Sequence, residues 1–162
     1  MIKAEYSLRQ YDWAVTFYFN VTAHDFHAVM RHLWSIGCRG EDFRTAWNNV
    51  NKGCCNRGLT YSDYEGKRSI VVVGESSTFG ELMNSLSHEI HHLSVHIAQA
   101  NLLDLAGEEV CYIDGEMTQM VFEDITYEML CSMQSTSSVS CPLSSGSCKY
   151  DRVNKECSRS FH

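Results

Sequence analysis

Basic residues are missing from the middle of this 162-residue chain: residues 75–131 contain eleven Asp and Glu and no Lys or Arg. A nucleic-acid-binding surface has to be basic, so this segment is not expected to contact DNA or RNA. The chain also has no apolar run close to the about 20 residues that a membrane-spanning helix requires. We therefore expect neither nucleic acid nor membrane as a partner.

Proline and closely spaced cysteine pairs are also scarce. Pro142 is the only proline, and the eight cysteines form no C-x-x-C pair, which disfavours a zinc ribbon with four cysteine ligands. The opening residues, Met1–Tyr6, have no apolar core of the kind found in signal peptides. We therefore expect a cytoplasmic protein of the host cell, with its cysteines as free thiols.

Hydrophobic periodicity predicts an α+β fold, with a small, mostly antiparallel sheet packed on helices. Apolar residues alternate with polar ones over residues 11–21, which predicts a strand whose apolar face contains Trp13, Val15, Phe17, Phe19 and Val21. Two further strands are predicted at residues 59–64 and 68–73. Helices are predicted at residues 25–36, 41–50, 78–99 and 108–131.

The length predicts a single domain, and composition places its end near residue 131. Residues 132–162 are rich in serine and contain Cys141, Cys148 and Cys157, without a periodic apolar face. Such a segment cannot bury enough apolar surface to fold. The sequence thus predicts a domain over residues 1–131 and a flexible Ser- and Cys-containing tail over residues 132–162.

The helix predicted at residues 78–99 contains His88-Glu89-Ile90-His91-His92, an H-E-x-x-H motif. Residues four apart lie on one helix face, so His88 and His92 can bind a single Zn²⁺. Glu89, beside the first ligand, can accept a proton from metal-activated water. The alternative is that these residues form an ordinary polar helix face, because the motif also occurs by chance.

A catalytic zinc takes three protein ligands and one water, so a further ligand is needed. His96 is eight residues from His88, about 12 Å along the helix, which is too far for it to share the ion. A carboxylate at the start of the second helix has better geometry, and both Glu108 and Glu109 stand there. Glu116 is about 12 Å further along that helix.

The segments Asn84–Leu93 and Gly107–Gly115 resemble a group of small zincin-like metallopeptidases encoded by bacteriophages and related mobile elements. Their pattern is H-E-x-x-H followed, on the next helix, by Glu-x-x-x-Tyr-x-x-Gly, which here falls on Glu108, Tyr112 and Gly115. The resemblance implies a minimal zincin-like domain in which the H-E-x-x-H helix is followed by a second ligand-bearing helix.

The resemblance further implies that Glu108 is the third zinc ligand, with Glu109 as its rival one residue away. Gly115 would allow the two helices to approach closely, and Tyr112 would either hydrogen-bond near the site or belong to the core. By the same resemblance, the strand at residues 68–74 would pair with an extended substrate.

These observations predict a gluzincin-like zinc metallopeptidase that hydrolyses a peptide bond in an unidentified peptide or protein, with Glu89 as general base. The alternative is a non-catalytic phage or mobile-element protein whose structural zinc site supports binding to a host protein. An open water position on the zinc would favour the enzyme, and a fourth protein ligand would favour the alternative. An amidase acting on a non-protein substrate fits the same residues.

Overall fold

A computed structural model describes residues 1–51, 58–134, 150–151 and 156–157 of the chain. It contains a four-stranded sheet with helices on both faces. The strands of this sheet are β1 (Ile2–Leu8), β2 (Trp13–Val21), β3 (Leu59–Asp63) and β4 (Arg68–Gly74). The helices are α1 (Phe26–Ser35), α2 (Gly40–Asn51), α3 (Phe79–Ala100) and α4 (Glu108–Gln134).

The sheet is mixed, with strand order β1-β2-β4-β3. β2 pairs antiparallel with β1 and parallel with β4, while β3 pairs antiparallel with β4. The predicted α+β class is therefore confirmed. β1 was not among the predicted strands, although its sequence alternates between apolar and polar residues in the same way as that of β2.

β4 lies inside the sheet, between β2 and β3. Its backbone is paired on both sides, so the expectation that residues 68–74 pair with a substrate is wrong. β3 lies at the end of the sheet next to α3, and no other described strand pairs with its outer edge. Any extended peptide that joins the sheet on this side has to join it at β3.

Two apolar cores lie on opposite faces of the sheet. The face that packs on α3 and α4 carries Trp13, Val15, Phe17, Phe19, Val71 and Val73. The face that packs on α1 and α2 carries Tyr18, Val21, Ile70 and Val72. The alternation of β4 explains why its β-branched run is buried throughout: each face of that strand has its own helical layer.

Val21 was predicted to share a face with Trp13, and this is wrong. The pairing of β2 with β4 gains one residue on the β2 side between Tyr18 and Val21, next to Asn20, whose φ is +51°. An extra residue of this kind reverses the faces of all residues beyond it. Asn tolerates the left-handed conformation better than most residues, so it suits this position. Val21 consequently packs with α1.

α3 begins with an N-cap at Thr78. The Thr78 hydroxyl accepts the backbone N–H of Glu81 at 3.1 Å. The Glu81 carboxylate accepts the backbone N–H of Ser77 at 2.9 Å. The helix that carries the H-E-x-x-H motif is thus held at its first turn by two side-chain hydrogen bonds.

α4 continues three residues past the predicted domain boundary at residue 131, to Gln134. Most of the predicted tail lies outside the described residues. Within it, the short strands β5 (Tyr150–Asp151) and β6 (Glu156–Cys157) pair antiparallel. None of the helices in the described part of the chain combines the length and the apolar character needed to cross a membrane.

His32 of α1 is expected to make the protein less stable in mild acid. Its Nδ1 lies 2.9 Å from the hydroxyl of buried Tyr18. Burial lowers the pKa of His32, and Lys3 and Arg68 lower it further while Glu5 opposes them. The folded state therefore resists a proton that the unfolded chain accepts below about pH 6.5, and stability falls as the pH drops through that value.

The test compares urea unfolding at pH 7.5 and pH 5.5. In His32→Gln the loss of unfolding free energy between the two pH values should be smaller than in the unmodified protein. His27→Gln, which changes an exposed histidine of the same helix, is the control and should leave the loss as it was. Equal losses in all three proteins would contradict the assignment.

Candidate metal centre on helix α3

The two motif histidines point at each other across one turn of α3. Their Nε2 atoms are 3.1 Å apart, and their rings are nearly perpendicular, with centroids separated by 4.6 Å. Two nitrogens bound to one tetrahedral zinc at 2.0–2.1 Å would be about 3.3 Å apart. Both residues are exposed, so a cation from solvent can reach the two nitrogens. The two Nε2 atoms therefore have the spacing required of two ligands on one tetrahedral zinc ion.

Glu89, between these histidines in sequence, is turned inward and is only 4% exposed. Its Oε2 accepts a hydrogen bond from the Thr60 hydroxyl of β3 at 2.8 Å, and its backbone oxygen lies 3.1 Å from the same hydroxyl. The backbone of Gly58, just before β3, packs directly against the Glu89 side chain. The carboxylate is thus held between α3 and the edge strand in a fixed orientation.

Three polar contacts join β3 to α3 in the same order along both elements. Thr60 contacts Glu89, the Ser62 hydroxyl lies 2.9 Å from His96 Nδ1, and the Tyr64 hydroxyl donates to Gln99 at 3.0 Å. Alternate residues of a strand share one face, so Thr60 and Ser62 face the helix, and Tyr64, in the turn directly after β3, continues this polar row. The edge strand is therefore tied to the side of α3 that carries the motif.

A buried polar chain continues from His96 into the core. Ser62 Oγ lies 2.7 Å from Ser69 Oγ of β4, and Ser69 Oγ accepts the indole N–H of Trp13 at 2.8 Å. Trp13 is fully buried, and both serines are buried. Burial lowers the pKa of His96, and His92 lowers it further. His96 is thus neither a simple surface residue nor a third member of the His88–His92 pair.

α4 contacts the H-E-x-x-H motif through Asp114 rather than through Glu108. His91 Nδ1 lies 3.1 Å from Asp114 Oδ2. The second carboxylate oxygen, Asp114 Oδ1, is buried without a hydrogen-bond partner among the described residues. Asp114 is therefore the α4 carboxylate that contacts the motif turn.

The close packing on α3 that was expected at Gly115 is not observed. Gly115 was predicted to allow close helix packing, but a Cβ placed there would have no atom within 4 Å. Tyr112 is 66% exposed, and Glu108 is exposed as well. The stripe of α4 that faces the core consists of Val110, Ile113, Met117 and Val121. The stripe through Glu108, Tyr112 and Gly115 instead faces outward.

In the described part of the chain, no third protein ligand joins His88 and His92. Among the described residues, no group of three or more His, Cys, Asp or Glu side chains is arranged to hold a metal ion. The structure thus brings His88 and His92 together and buries the Glu89 carboxylate against Thr60, but it does not join Glu108 to the pair. The assignment of Glu108 as a zinc ligand stays a prediction.

The functional residues that sequence reasoning missed lie on β3. Thr60 and Ser62 were interpreted only as part of a strand, and their partners Glu89 and His96 are 29 and 34 residues further along the chain. One signal was available: the polar residues Thr60 and Ser62 alternate along the strand with Leu59 and Tyr61, which pack on the opposite face. A polar inner face on an edge strand indicates that its neighbour is also polar.

Comparison with known proteins adds no family to these observations: no protein-family model, no curated protein and no solved structure matches the chain.

Proposed function

We propose that this protein is a zinc-dependent peptidase whose active site lies on α3 beside β3. The observation that carries the proposal is the 3.1 Å separation of the His88 and His92 Nε2 atoms. Their spacing suits a shared tetrahedral ion, and their exposure leaves room on it for water and substrate. A zincin-like fold is part of this proposal, supported by the mixed sheet and by an edge strand lying along the motif helix.

The electrostatics of Glu89 support a cation at this position. Its carboxylate is buried, and in the described part of the chain it has no Lys or Arg partner, since α3 and the first half of α4 contain no basic residue. A buried carboxylate needs compensation beyond the one Thr60 hydroxyl. We infer that a divalent cation held by His88 and His92 would supply this positive charge, because His88 directly precedes Glu89 in α3.

The chain's own residues then have distinct tasks. When bound, zinc acts as a Lewis acid that polarises the scissile carbonyl and makes water acidic near neutral pH. Glu89 accepts a proton from the attacking water and returns it to the leaving amine. Thr60 holds the Glu89 carboxylate in place through Oε2. The outer edge of β3, which pairs with no other strand among the residues that the structure describes, offers its backbone to an extended peptide beside these groups.

The exposure of both imidazoles separates this proposal from a structural zinc site that serves host-protein binding. A structural zinc is closed by four protein ligands, whereas His88 and His92 are exposed, and no group of three or more His, Cys, Asp or Glu side chains among the described residues is arranged to hold a metal ion. An amidase on a non-protein substrate would use the same groups. Screening amide substrates alongside peptides distinguishes that activity.

Zinc binding tests the proposal most directly. The purified protein should hold one zinc per chain, and His88→Ala should lose most of it because a nitrogen ligand is removed. His91→Ala is the matched control: it removes an imidazole from the same turn that faces Asp114, so zinc should be retained. Metal analysis of the three proteins is the measurement. Full zinc occupancy in His88→Ala would show that the site is misassigned.

The identity of the third ligand is tested by three variants of α4. Glu108→Gln is expected to weaken zinc binding most, as the sequence resemblance implies, while Glu109→Gln should have a small effect. Asp114→Asn is included because Asp114 contacts the motif turn. Loss of a ligand typically costs more than tenfold in affinity, which competition with a zinc chelator resolves. A larger loss in either rival would reassign the ligand, and small losses in all three would exclude α4 as its source.

A further inference from the structure

The hydrogen-bond chain from Trp13 to His96 has only one arrangement that uses every buried proton. The Trp13 indole can only donate, so Ser69 Oγ accepts from it. Ser69 is 2% exposed, and its remaining partner among the described residues is Ser62, so Ser69 has to donate to Ser62. Ser62 then donates to His96 Nδ1. The reverse direction would leave the Ser69 hydroxyl proton buried and unpaired, which costs about 1–3 kcal/mol.

This direction determines the tautomer of His96. Because Nδ1 accepts a hydrogen bond, the neutral ring carries its proton on Nε2. Nε2 has no protein partner within the described part of the chain. The ring is partly buried between Tyr64 and His92, with centroid distances of 5.7 Å and 6.5 Å. A neutral N–H donor is therefore held in a fixed direction next to the His88–His92 pair, and none of the described residues accepts its proton.

We propose that His96 is a substrate-positioning residue whose Nε2–H donates to a main-chain carbonyl oxygen of a peptide bound along β3. The proposal rests on the peptidase function proposed above. A neutral donor suits the neutral oxygen of an amide better than a carboxylate, which would favour a cationic partner. Burial of the ring, which disfavours the charged imidazolium, keeps His96 in this form.

The position along the substrate follows from the same distances. The His92 Nε2 atom points toward His88, so the His92 ring stands between His96 and the ion that the pair would bind. His96 is therefore too far away to contact the scissile carbonyl. With about 3.3 Å per residue in an extended peptide, the carbonyl that it reaches belongs to a residue about two positions from the cleaved bond. His96 is thus expected to affect substrate binding more than the chemical step.

The tautomer is tested first, without any substrate. A two-bond ¹H–¹⁵N correlation spectrum of the ¹⁵N-labelled protein near pH 7.5 identifies which ring nitrogen carries the proton. We expect His96 to be in the Nε2–H form, and we expect Ser62→Ala to release it into a mixture of tautomers by removing the donor to Nδ1. An Nδ1–H form in the unmodified protein would overturn the proposal, whatever the protein hydrolyses.

The role in binding is tested by two variants that each keep one end of the imidazole. His96→Gln retains an N–H near the position of Nε2, whereas His96→Asn retains a polar atom near Nδ1 and loses the distal donor. The substrate is the best one found in a fluorogenic peptide library. We expect His96→Asn to raise KM about fivefold to tenfold with kcat within twofold, and His96→Gln to stay within about threefold of the unmodified protein.

The outcomes separate the two proposals. If His96 only ties β3 to α3, the order reverses: His96→Gln is impaired and His96→Asn is close to normal, which overturns the positioning role while peptide hydrolysis persists. Hydrolysis that depends on Glu89 but is unchanged in both His96 variants also overturns the positioning role alone. If no peptide in the library is cleaved in a Glu89-dependent way, the peptidase function fails, and the positioning role fails with it.

Discussion

Replacing Glu89 with Gln is expected to reduce peptide hydrolysis by about 10²–10⁴-fold, the contribution typical of a general acid–base group. Glutamine has nearly the same shape as glutamate and can still accept the Thr60 hydroxyl, so folding and zinc content should be retained. What is lost is the ability to take a proton from the attacking water. The measurement is kcat/KM on the same peptide library, with zinc content determined on each preparation.

Thr60 provides the matched pair for this prediction. Thr60→Ser keeps the hydroxyl that holds Glu89 Oε2 at 2.8 Å, whereas Thr60→Val removes it with little change in volume. We expect Thr60→Ser to be close to normal and Thr60→Val to lose about tenfold in kcat/KM because the carboxylate is no longer oriented.

Equal activity in Glu89→Gln and the unmodified protein would remove Glu89 from the mechanism and leave a zinc-binding protein without this chemistry.

Replacing Gly58 with Ala is expected to disturb the site strongly, although it adds only one methyl group. A Cβ at this position would stand 2.5 Å from Glu89 Cδ and closer still to Glu89 Cγ and Oε1. Because Glu89 is 4% exposed, its side chain cannot move aside without leaving Thr60. Either the Glu89 carboxylate or the start of β3 has to shift, at a cost of about 1–3 kcal/mol.

The control for Gly58 is Gly115→Ala, which adds the same methyl group where no atom lies within 4 Å. In the exposed middle of α4 this change should be neutral or stabilise the protein by up to about 1 kcal/mol, since alanine favours helix over glycine. Urea unfolding and kcat/KM are measured on both variants. If Gly58→Ala matches Gly115→Ala in stability and activity, Glu89 does not lie against the Gly58 backbone as described.

Local periodicity was sufficient for the elements that carry the motif. The apolar periodicity of residues 78–99 predicted α3 to within one residue at each end. Once that helix exists, the four-residue separation of His88 and His92 brings their side chains to one face without help from the rest of the fold. The alternation in β2 likewise predicted its buried residues up to Phe19, where an inserted residue next to Asn20 reverses the faces.

Predictions that required knowledge of a partner element were less successful. α4 has a stripe through Val110 and Ile113 and another through Glu108 and Gly115, and its sequence does not specify which of them packs on α3. The sheet order β1-β2-β4-β3 likewise depends on pairing between residues distant in sequence. It places residues 68–74 inside the sheet and β3 at its edge. Each of these choices depends on contacts between residues distant in sequence.

The sequence by itself therefore determined the helix, the pairing of the His88 and His92 imidazoles and the presence of a carboxylate, Glu89, between them in sequence. Residues within one helical turn are placed by backbone geometry alone. Only the tertiary structure decided what surrounds that carboxylate. Gly58 and Thr60 meet Glu89, and Ser62 meets His96, because β4 inserts between β2 and β3 and leaves β3 as the edge beside α3. No local pattern encodes such contacts, since their free energy is gained only when separate elements pack together.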